Sequence, residues 1–342
     1  MMAEYLLGGY VDLETTAGGT PAYPAQSMAE LPQTAPTPAD ALPDSWVGAM
    51  PALLQPWLRL MRLDRPIGAV LLFLPCVFGL ALGAAALGRG FGIWRGDFVL
   101  LALFGAGAIV MRGAGCTYND IVDRDIDAKV ARTRGRPIPS GAVSVRGAWI
   151  FLALQLAAGL AILLQLNRLS VWLGAGSLVL VALYPFMKRI TWWPQAWLGI
   201  TFNWGALLGF AAETGRLTLP ALVLYAGCFF WTLGYDTIYA HQDKEDDALI
   251  GVKSTARLFG ERSRAWIDAF YALALVLIAV AVVLATGKLW TALLSVPVGL
   301  HFAWQTRKLD IDNAQRCLRI FRSNRDTGLL VAAAVIAASW LV

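Results

Sequence analysis

Hydrophobic residues along this chain of 342 residues are grouped into long runs that short polar segments separate. A helix that crosses the ~30 Å hydrocarbon core of a bilayer needs about 20 predominantly apolar residues. Nine runs approach this length, and they lie near residues 67–88, 97–118, 148–166, 169–187, 196–213, 219–240, 265–286, 289–306 and 327–342. The pattern predicts an all-α, polytopic membrane protein with nine transmembrane helices.

The segment before the first run has a different composition. Residues 1–58 contain six acids, no Lys or Arg, and eight of the sixteen prolines of the chain. This composition predicts a disordered, acidic, Pro/Ala-rich cytoplasmic tail over residues 1–50, followed by one membrane domain over residues 51–342. The start of that domain, residues 51–63, is interpreted as an interfacial helix.

The same segment has no recognisable targeting signal. It lacks the basic n-region and the apolar h-region of a signal peptide, and the first Arg of the chain is Arg59. Mitochondrial transit peptides are rich in Arg and poor in acids. We therefore expect a multi-pass protein of the bacterial inner (plasma) membrane.

The overall composition agrees with a membrane protein. Apolar residues make up 58% of the chain and charged residues 15%, which excludes a soluble globular domain, a coiled coil and a disordered protein. The net charge is +5. Between the predicted spans, 22 Lys and Arg residues lie on one side of the membrane and five on the other, with Arg112 inside a span. By the positive-inside rule the N-terminus and the basic loops are cytoplasmic, and nucleic acid is not an expected partner.

Polar side chains share one face at the end of the second run. At 100° per residue, the residues Arg112, Asn119, Asp123 and Asp127 fall within about 80° of one another. We call Asn119, Asp123 and Asp127 the first acidic motif. Like charges four residues apart destabilise a helix, so these acids predict a cationic partner.

The sixth run ends with a similar group, in which Asp236, Asp243 and Asp247 fall within about 40° of one another. Asp243 and Asp247, the second acidic motif, follow Asp123 and Asp127 by 120 residues each. The matched spacing predicts a duplicated four-helix unit with a ninth helix added. Carboxylate and amide oxygens suit Mg²⁺, which also binds substrate phosphates. The motifs therefore predict a Mg²⁺ site, and the simpler alternative is that the acids pair with nearby Lys and Arg side chains.

Basic residues flank both motifs. They are Arg65, Arg132, Arg136, Lys188, Arg189 and Lys253. Each one alone is an ordinary cation of this membrane face. Together with two acidic motifs they predict a site for a phosphate-bearing substrate.

Arg112 lies about two helical turns deeper in the membrane than Asn119, on the same face. An arginine inside a membrane is costly unless it meets an anion. It therefore either forms an internal ion pair with a motif aspartate or receives a substrate carboxylate just deeper than the metal site. His241, beside the second motif, is expected to face solvent.

Three segments carry a family resemblance: MRGAGCTYNDIVDRDIDAKVARTRGRPIPSG, YPFMKRITWWPQAWLG and GYDTIYAHQDKEDDALIGVKST. They resemble the UbiA superfamily of intramembrane aromatic prenyltransferases, and within it the members that act on 4-hydroxybenzoate. The resemblance covers roughly residues 56–342 and leaves the acidic tail outside the family pattern.

The resemblance implies nine helices around a central cavity that opens to membrane lipid. It also implies Mg²⁺-dependent transfer of a polyprenyl chain from polyprenyl diphosphate to position 3 of 4-hydroxybenzoate, an early step of ubiquinone biosynthesis. The positions implied for metal binding are Asn119, Asp123, Asp127, Asp243 and Asp247, of which the four aspartates are also catalytic. Those implied for diphosphate are Arg65, Lys188, and Arg132 or Arg136, with Lys253 as a further candidate. Arg112 matches a position for the aromatic carboxylate, and Tyr239 and Asp236 are candidates for stabilising the allylic cation or orienting the diphosphate.

Two alternatives follow from the same residues. Another prenyltransferase of the superfamily, such as a haem farnesyltransferase, would share the acidic motifs and differ in its acceptor pocket. A cation transporter would also place acids inside a membrane protein, but transporter sites tend to lie at the midplane on interrupted helices. Both motifs here lie at the ends of predicted spans.

Overall fold

The structure is a computed structural model that describes residues 45–129, 133–249 and 251–342. Within these ranges the regular elements are helices, and no strand occurs. Most of the predicted tail and the candidate Arg132 lie outside the described residues. The α-helices are α1 (Gln55–Leu60), α2 (Ile67–Ala86), α3 (Arg95–Asp127), α4 (Val145–Leu163), α5 (Arg168–Ile190), α6 (Pro194–Phe202), α7 (Trp204–Thr214), α8 (Leu219–Ala240), α9 (Lys244–Leu249), α10 (Thr255–Phe259), α11 (Ser263–Thr286), α12 (Val296–Lys308) and α13 (Ala314–Ser339).

In the part of the chain that the structure describes, six helices are long and apolar enough to cross a membrane, judged by length and composition. They are α2, α3, α4, α5, α8 and the continuous helical segment Thr255–Thr286 that contains α10 and α11. The all-helical class predicted from the sequence is confirmed, and six of the nine predicted spans meet the criterion.

The other three predicted spans take different forms. The run 196–213 is divided into α6 and α7 at Asn203, whose side-chain amide donates hydrogen bonds to the Gly199 carbonyl at 2.8 Å and to Oγ1 of Thr232 at 2.6 Å. The run 289–306 begins with a 3₁₀ helix before α12. The run 327–342 is the second half of α13, whose first turns are rich in arginine.

Helix α2 is the most buried of the six candidate spans. It packs against α7 and α13, and glycines allow its backbone to approach that of α7 closely. A Cβ atom at Gly79 of α2 would overlap the Ala206 carbonyl oxygen and lie 2.8 Å from the Phe210 nitrogen of α7. Small residues of this kind let membrane helices pack through backbone contact.

We expect Gly79→Ala to destabilise the protein by roughly 1–3 kcal/mol, because the added methyl group meets backbone atoms that cannot rotate away. Gly176→Ala on α5 is the matched control, since no heavy atom lies within 4 Å of a Cβ built there. Thermal unfolding of the detergent-solubilised variants tests this prediction. Equal unfolding temperatures for the two variants would contradict it.

Buried polar side chains connect α8 to α11, α12 and α13. The indole Nε1 of Trp231 donates to Oδ1 of Asn324 at 2.8 Å, and the Tyr271 hydroxyl donates to Oε1 of Gln305 at 2.7 Å. Gln305 in turn donates to Thr327 at 2.9 Å. Such hydrogen bonds between membrane helices add to packing, and here they hold the helix that leads into the second acidic motif.

A smaller hydrophobic cluster joins α1 to α3 and α4. It contains the buried residues Leu60, Ala114, Ile121, Ile138, Val143, Ala148 and Leu152. Trp57 of α1 also packs edge-on against Phe151 of α4, with ring centroids 5.1 Å apart. The cluster fixes the segment that leads into α2, and with it the arginines that follow Leu60.

Candidate active site

Side chains from α2 to α8 line one cavity of about 680 Å³. Its polar end contains Arg62, Arg65, Asn119, Asp120, Arg136 and Tyr239. The remainder is lined mainly by apolar residues and glycines, such as Leu103, Gly107 and Ile162. Along α3 the cavity extends over the eighteen residues from Leu103 to Asp120, which is about 25 Å at the rise of an α-helix. The cavity is therefore long, charged at one end and apolar along its length.

The first acidic motif lies on the last turns of α3. Asn119 lines the cavity, and Asp123 is fully buried. The Asp123 carboxylate accepts hydrogen bonds from Nζ of Lys188 at 2.5 Å and from Nη2 of Arg189 at 3.0 Å. Both cations lie in the last turn of α5. Two basic residues that are distant from Asp123 in the sequence thus neutralise this central acid of the motif.

Asp127, the last residue of α3, is paired in the same way. Its Oδ2 accepts a hydrogen bond from Nη1 of Arg136 at 2.7 Å, and its backbone carbonyl accepts one from the Thr133 hydroxyl at 2.9 Å. The segment after α3 therefore folds back onto the motif. The predicted basic residues Lys188 and Arg136 are both brought to the first acidic motif.

The second acidic motif follows α8. Asp243 lies between α8 and α9, and Asp247 lies on α9, with its backbone N–H donating to the Asp243 carbonyl at 2.8 Å. The Asp247 carbonyl accepts hydrogen bonds from the Val252 N–H at 2.9 Å and from Nη1 of Arg257 at 3.2 Å. These contacts fold the segment after α8 into a compact loop.

Lys188 connects the first motif to the segment that follows α9. Its ammonium group contacts Asp123, and its backbone carbonyl accepts a hydrogen bond from the Lys253 N–H at 3.0 Å. The Lys253 ammonium donates to the Ile190 carbonyl at 3.2 Å, at an exposed position. Because Asn119 of α3 and Tyr239 of α8 line the same cavity, the helices of both motifs meet at its polar end.

Arg112 lines the cavity about two helical turns from Asn119, on the same face of α3. Its guanidinium lies over the Phe202 ring, 5.4 Å from the centroid. Gly68 of α2 leaves the space for it, since a Cβ there would lie 2.6 Å from Nε of Arg112. That Nε atom is buried and makes no hydrogen bond within the described part of the chain.

Two further predicted residues lie near Arg112. Asp236 of α8 is close enough for a Coulombic interaction with it. Tyr239, one turn further along α8, lines the cavity and packs against Phe321 with ring centroids 4.5 Å apart. Tyr239 therefore reaches the cavity, whereas Asp236 is not among the residues that line it.

The cavity residues that were not predicted as site residues from the sequence include Arg62, Asp120 and Tyr184. Tyr184 belongs to the segment YPFMKR and is electrostatically coupled to Asp236 and Arg112. Asp120 adjoins Asn119 and, at 100° per residue, lies only about 20° from Asp127, so helical periodicity is compatible with a place beside the site. Arg62 lies 58 residues before Asp120, and only the fold brings the two together.

His241 differs from its expected position. The sequence expectation of a solvent-facing side chain is wrong, because only 3% of its surface is exposed. Burial and the nearby Lys244 ammonium lower the pKa of His241 to about 4. The imidazole is therefore neutral at pH 7, and it packs beside the loop of the second motif.

The donor chemistry of the site suits a hard divalent cation. Within the ranges that the structure describes, no three His, Cys, Asp or Glu side chains converge closely enough to hold a metal by themselves. Mg²⁺ requires few protein ligands, since it keeps several waters and binds phosphate oxygens of the substrate. The amide of Asn119 at the cavity wall and the carboxylates of Asp123 and Asp127, which follow it on α3, are oxygen donors that fit that mode of binding. Asp243 and Asp247 are not among the residues that line the cavity.

Curated proteins with similar sequences share one name. The chain is 48% identical to "4-hydroxybenzoate polyprenyltransferase, mitochondrial" of Drosophila pseudoobscura pseudoobscura, over 87% of this chain and 74% of that protein. It is 50% identical to the protein of the same name from Rattus norvegicus, over 85% and 76%. The corresponding values for the Homo sapiens protein are 48%, 85% and 77%.

These names correct the expected location. The expectation of a bacterial inner membrane is wrong, because the relatives are named as mitochondrial proteins and point to a eukaryotic mitochondrial membrane. Targeting segments are read separately from the fold and are often cleaved. The lack of Arg in residues 1–58 is consequently no guide to the membrane in which the helices reside.

Solved structures with the same fold agree with this similarity. A UbiA homologue from Aeropyrum pernix K1 matches with a TM-score of 0.62 and 27% identity, over 77% of this chain and 97% of that one. A UbiA homologue from Archaeoglobus fulgidus matches with a TM-score of 0.61 and 21% identity, over 84% and 100%. The pattern of the UbiA prenyltransferase family matches residues 71–338. The chain therefore belongs to the UbiA prenyltransferase family.

Proposed function

We propose that this protein transfers a polyprenyl chain from polyprenyl diphosphate to position 3 of 4-hydroxybenzoate and releases diphosphate, as an early membrane step of ubiquinone biosynthesis. One observation carries the proposal: a single cavity combines a charged end, a long apolar part and an arginine between them. Each part suits one portion of the two substrates. Relatives of about 50% identity bear the name of this activity.

The charged end would bind the diphosphate. We assign metal binding to Asn119, Asp123, Asp127, Asp243 and Asp247. The Archaeoglobus fulgidus homologue is described as bound to GPP and Mg²⁺. When bound, Mg²⁺ supplies a Lewis acid that stabilises negative charge on the phosphoryl oxygens.

Basic side chains would add to the metal's effect by stabilising the negative charge of the diphosphate directly. Arg65 and Arg136 line the polar end of the cavity, and Lys188 lies in hydrogen-bond contact with Asp123. Fixed cations aimed at a leaving group lower the barrier to its departure, since they need no reorganisation during the reaction. We assign Arg132 and Lys253 to the same positive set.

The acceptor would bind deeper in the cavity. The Arg112 guanidinium holds the carboxylate of 4-hydroxybenzoate and so turns the ring toward the allylic carbon of the donor. The allylic C–O bond breaks, with its electron pair leaving on the diphosphate, and the ring carbon ortho to the hydroxyl forms the new C–C bond. The proton of that ring carbon is then released. We assign Tyr239 and Asp236 to stabilising the allylic cation or orienting the diphosphate.

The apolar part of the cavity would hold the prenyl chain and exclude water. An allylic cation is quenched by water, so a site that forms one requires a dry surrounding. Apolar side chains and glycines from α3, α4 and α5 line this part. Membrane lipid is the expected neighbour of the many exposed apolar residues on α4 and α5.

The finer architecture belongs to the same proposal. We infer nine membrane spans around the cavity, arranged as a duplicated four-helix unit with one added helix. Residues 51–342 form the catalytic unit, and residues 1–50 precede it as an acidic tail.

Reconstitution tests the proposed function directly. The protein in nanodiscs is incubated with Mg²⁺, 4-hydroxybenzoate and polyprenyl diphosphates of several lengths, and diphosphate release and prenylated product are measured. We expect both to require donor, acceptor and Mg²⁺ together. Transfer to another acceptor in preference to 4-hydroxybenzoate would indicate a different enzyme of the family, and cation flux without donor consumption would indicate a transporter.

A further inference from the structure

Asp120 is a fully buried carboxylate that belongs to neither acidic motif. It lines the polar end of the cavity. Both of its oxygens accept hydrogen bonds from Nη2 of Arg62, at 2.7 and 2.8 Å. Nη1 of Arg136 lies 3.4 Å from Oδ1. One buried carboxylate thus contacts two guanidinium groups at the mouth of the cavity.

Arg62 reaches Asp120 from an uncommon backbone conformation. Its φ is 61°, and it is the one non-glycine residue with positive φ in residues 45–129, 133–249 and 251–342. Such a conformation persists only where the surroundings enforce it, and it concentrates at functional sites. The Arg62 carbonyl accepts a hydrogen bond from the Arg65 N–H at 3.1 Å, and both side chains line the cavity. The turn between α1 and α2 therefore presents two arginines to the same site.

Arg136 extends the interaction to the first acidic motif. The same Nη1 atom that faces Asp120 also donates to Oδ2 of Asp127 at 2.7 Å. Charges consequently alternate in the order Arg62, Asp120, Arg136 and Asp127. These residues come from the α1–α2 turn, from α3 and from the segment between α3 and α4. The arrangement ties three parts of the chain together at the charged end.

We propose that Asp120 is a positioning residue for diphosphate binding. Its carboxylate holds the guanidinium groups of Arg62 and Arg136 in the orientation in which they face the leaving diphosphate. The inference rests on the proposed function for the identity of the substrate. It goes beyond that function, because it assigns a role to Asp120, an acid outside both acidic motifs. Asp120 acts through the arginines that it contacts.

Asp120→Asn keeps the shape of the side chain and removes its charge. We expect the KM for polyprenyl diphosphate to rise roughly 10- to 100-fold, as for other residues that orient a ligand-binding group, while the KM for 4-hydroxybenzoate changes little. The affinity for Mg²⁺ with inorganic diphosphate, measured from the shift in unfolding temperature that these ligands cause, should fall by a similar factor. Asp125→Asn is the matched control, because the Asp125 side chain is 84% exposed on the same helix.

A second variant separates positioning from stability. Replacing both partners of a buried ion pair with apolar residues is often neutral or stabilising, whereas removing one partner is not. The double variant Arg62→Met with Asp120→Leu should therefore regain the unfolding temperature that Asp120→Asn loses. Arg62→Met alone is the reference for loss of that guanidinium. If Asp120 positions Arg136, the donor KM of the double variant exceeds that of Arg62→Met. If the pair serves stability alone, the two variants have the same donor KM and the proposal is overturned.

The outcomes separate this inference from the proposed function. Absence of prenyl transfer by the wild-type protein would refute the function, whatever Asp120 does. Wild-type transfer combined with an unchanged donor KM and unchanged diphosphate binding in Asp120→Asn would refute the positioning role alone.

Discussion

Asp123→Asn is expected to reduce kcat/KM for prenyl transfer by about 10²–10⁴-fold, because the metal that Asp123 would help hold stabilises several kcal/mol of transition-state charge. Asp123 is fully buried and contacts Lys188 and Arg189. Asparagine keeps the volume and one oxygen, but it removes the charge that both cations face. The change therefore acts on the metal and on two basic groups at once.

Steady-state kinetics of the reconstituted variant provide the measurement, with Asp125→Asn as the control. Unfolding temperatures of both variants show whether the loss of activity comes from loss of structure. If Asp123→Asn kept nearly wild-type kcat/KM at every Mg²⁺ concentration, low ones included, the assignment of the first acidic motif to metal binding would be ruled out. A Mg²⁺ requirement that shifts to higher concentration would support it.

Arg112→Met is expected to lower kcat/KM for an acceptor that carries a carboxylate much more than for one that lacks it. Truncating one partner of a buried, hydrogen-bonded charge pair costs about 2–5 kcal/mol, so kcat/KM for 4-hydroxybenzoate should fall about 30-fold or more. A phenol without the carboxylate has no group for Arg112 to bind, and its slower reaction should change little. The geometry behind this prediction is the buried Nε of Arg112 beside the Phe202 ring.

The comparison needs both acceptors on the same preparation. Arg95→Met, at the exposed start of α3, controls for the loss of a positive charge from that helix. Equal losses for the two acceptors in Arg112→Met would refute the carboxylate role. Such a result would indicate instead that Arg112 supports the site through Asp236, with which it interacts.

Much of the fold follows from the apolar runs, because a span needs a minimum length of apolar residues wherever it packs. The run 196–213 shows the limit of that reasoning. Its composition suits one span, but the Asn203 amide bonds to the Gly199 carbonyl and to Thr232 of another helix, and the run is divided there. A tertiary hydrogen bond of this kind has no periodic signal in the sequence.

The site shows the same division between local and tertiary information. Helical periodicity places Arg112, Asn119 and Asp123 on one face, and Arg112 and Asn119 do line one cavity. Periodicity also places Asp120 only about 20° from Asp127, but it cannot indicate its partner Arg62, which lies on a separate segment. The buried position of His241 depends on packing around the loop after α8, which its local sequence does not predict. Contacts between distant segments decide these cases.

The central claim is that this chain forms a carbon–carbon bond between a prenyl chain and the ring of 4-hydroxybenzoate. The most direct test is the position of the new bond in the product, determined by NMR after incubation of the reconstituted protein with Mg²⁺, 4-hydroxybenzoate and a polyprenyl diphosphate. We predict a single product prenylated at the ring carbon ortho to the hydroxyl. A product prenylated on oxygen, or free polyprenol alone, would contradict the claim.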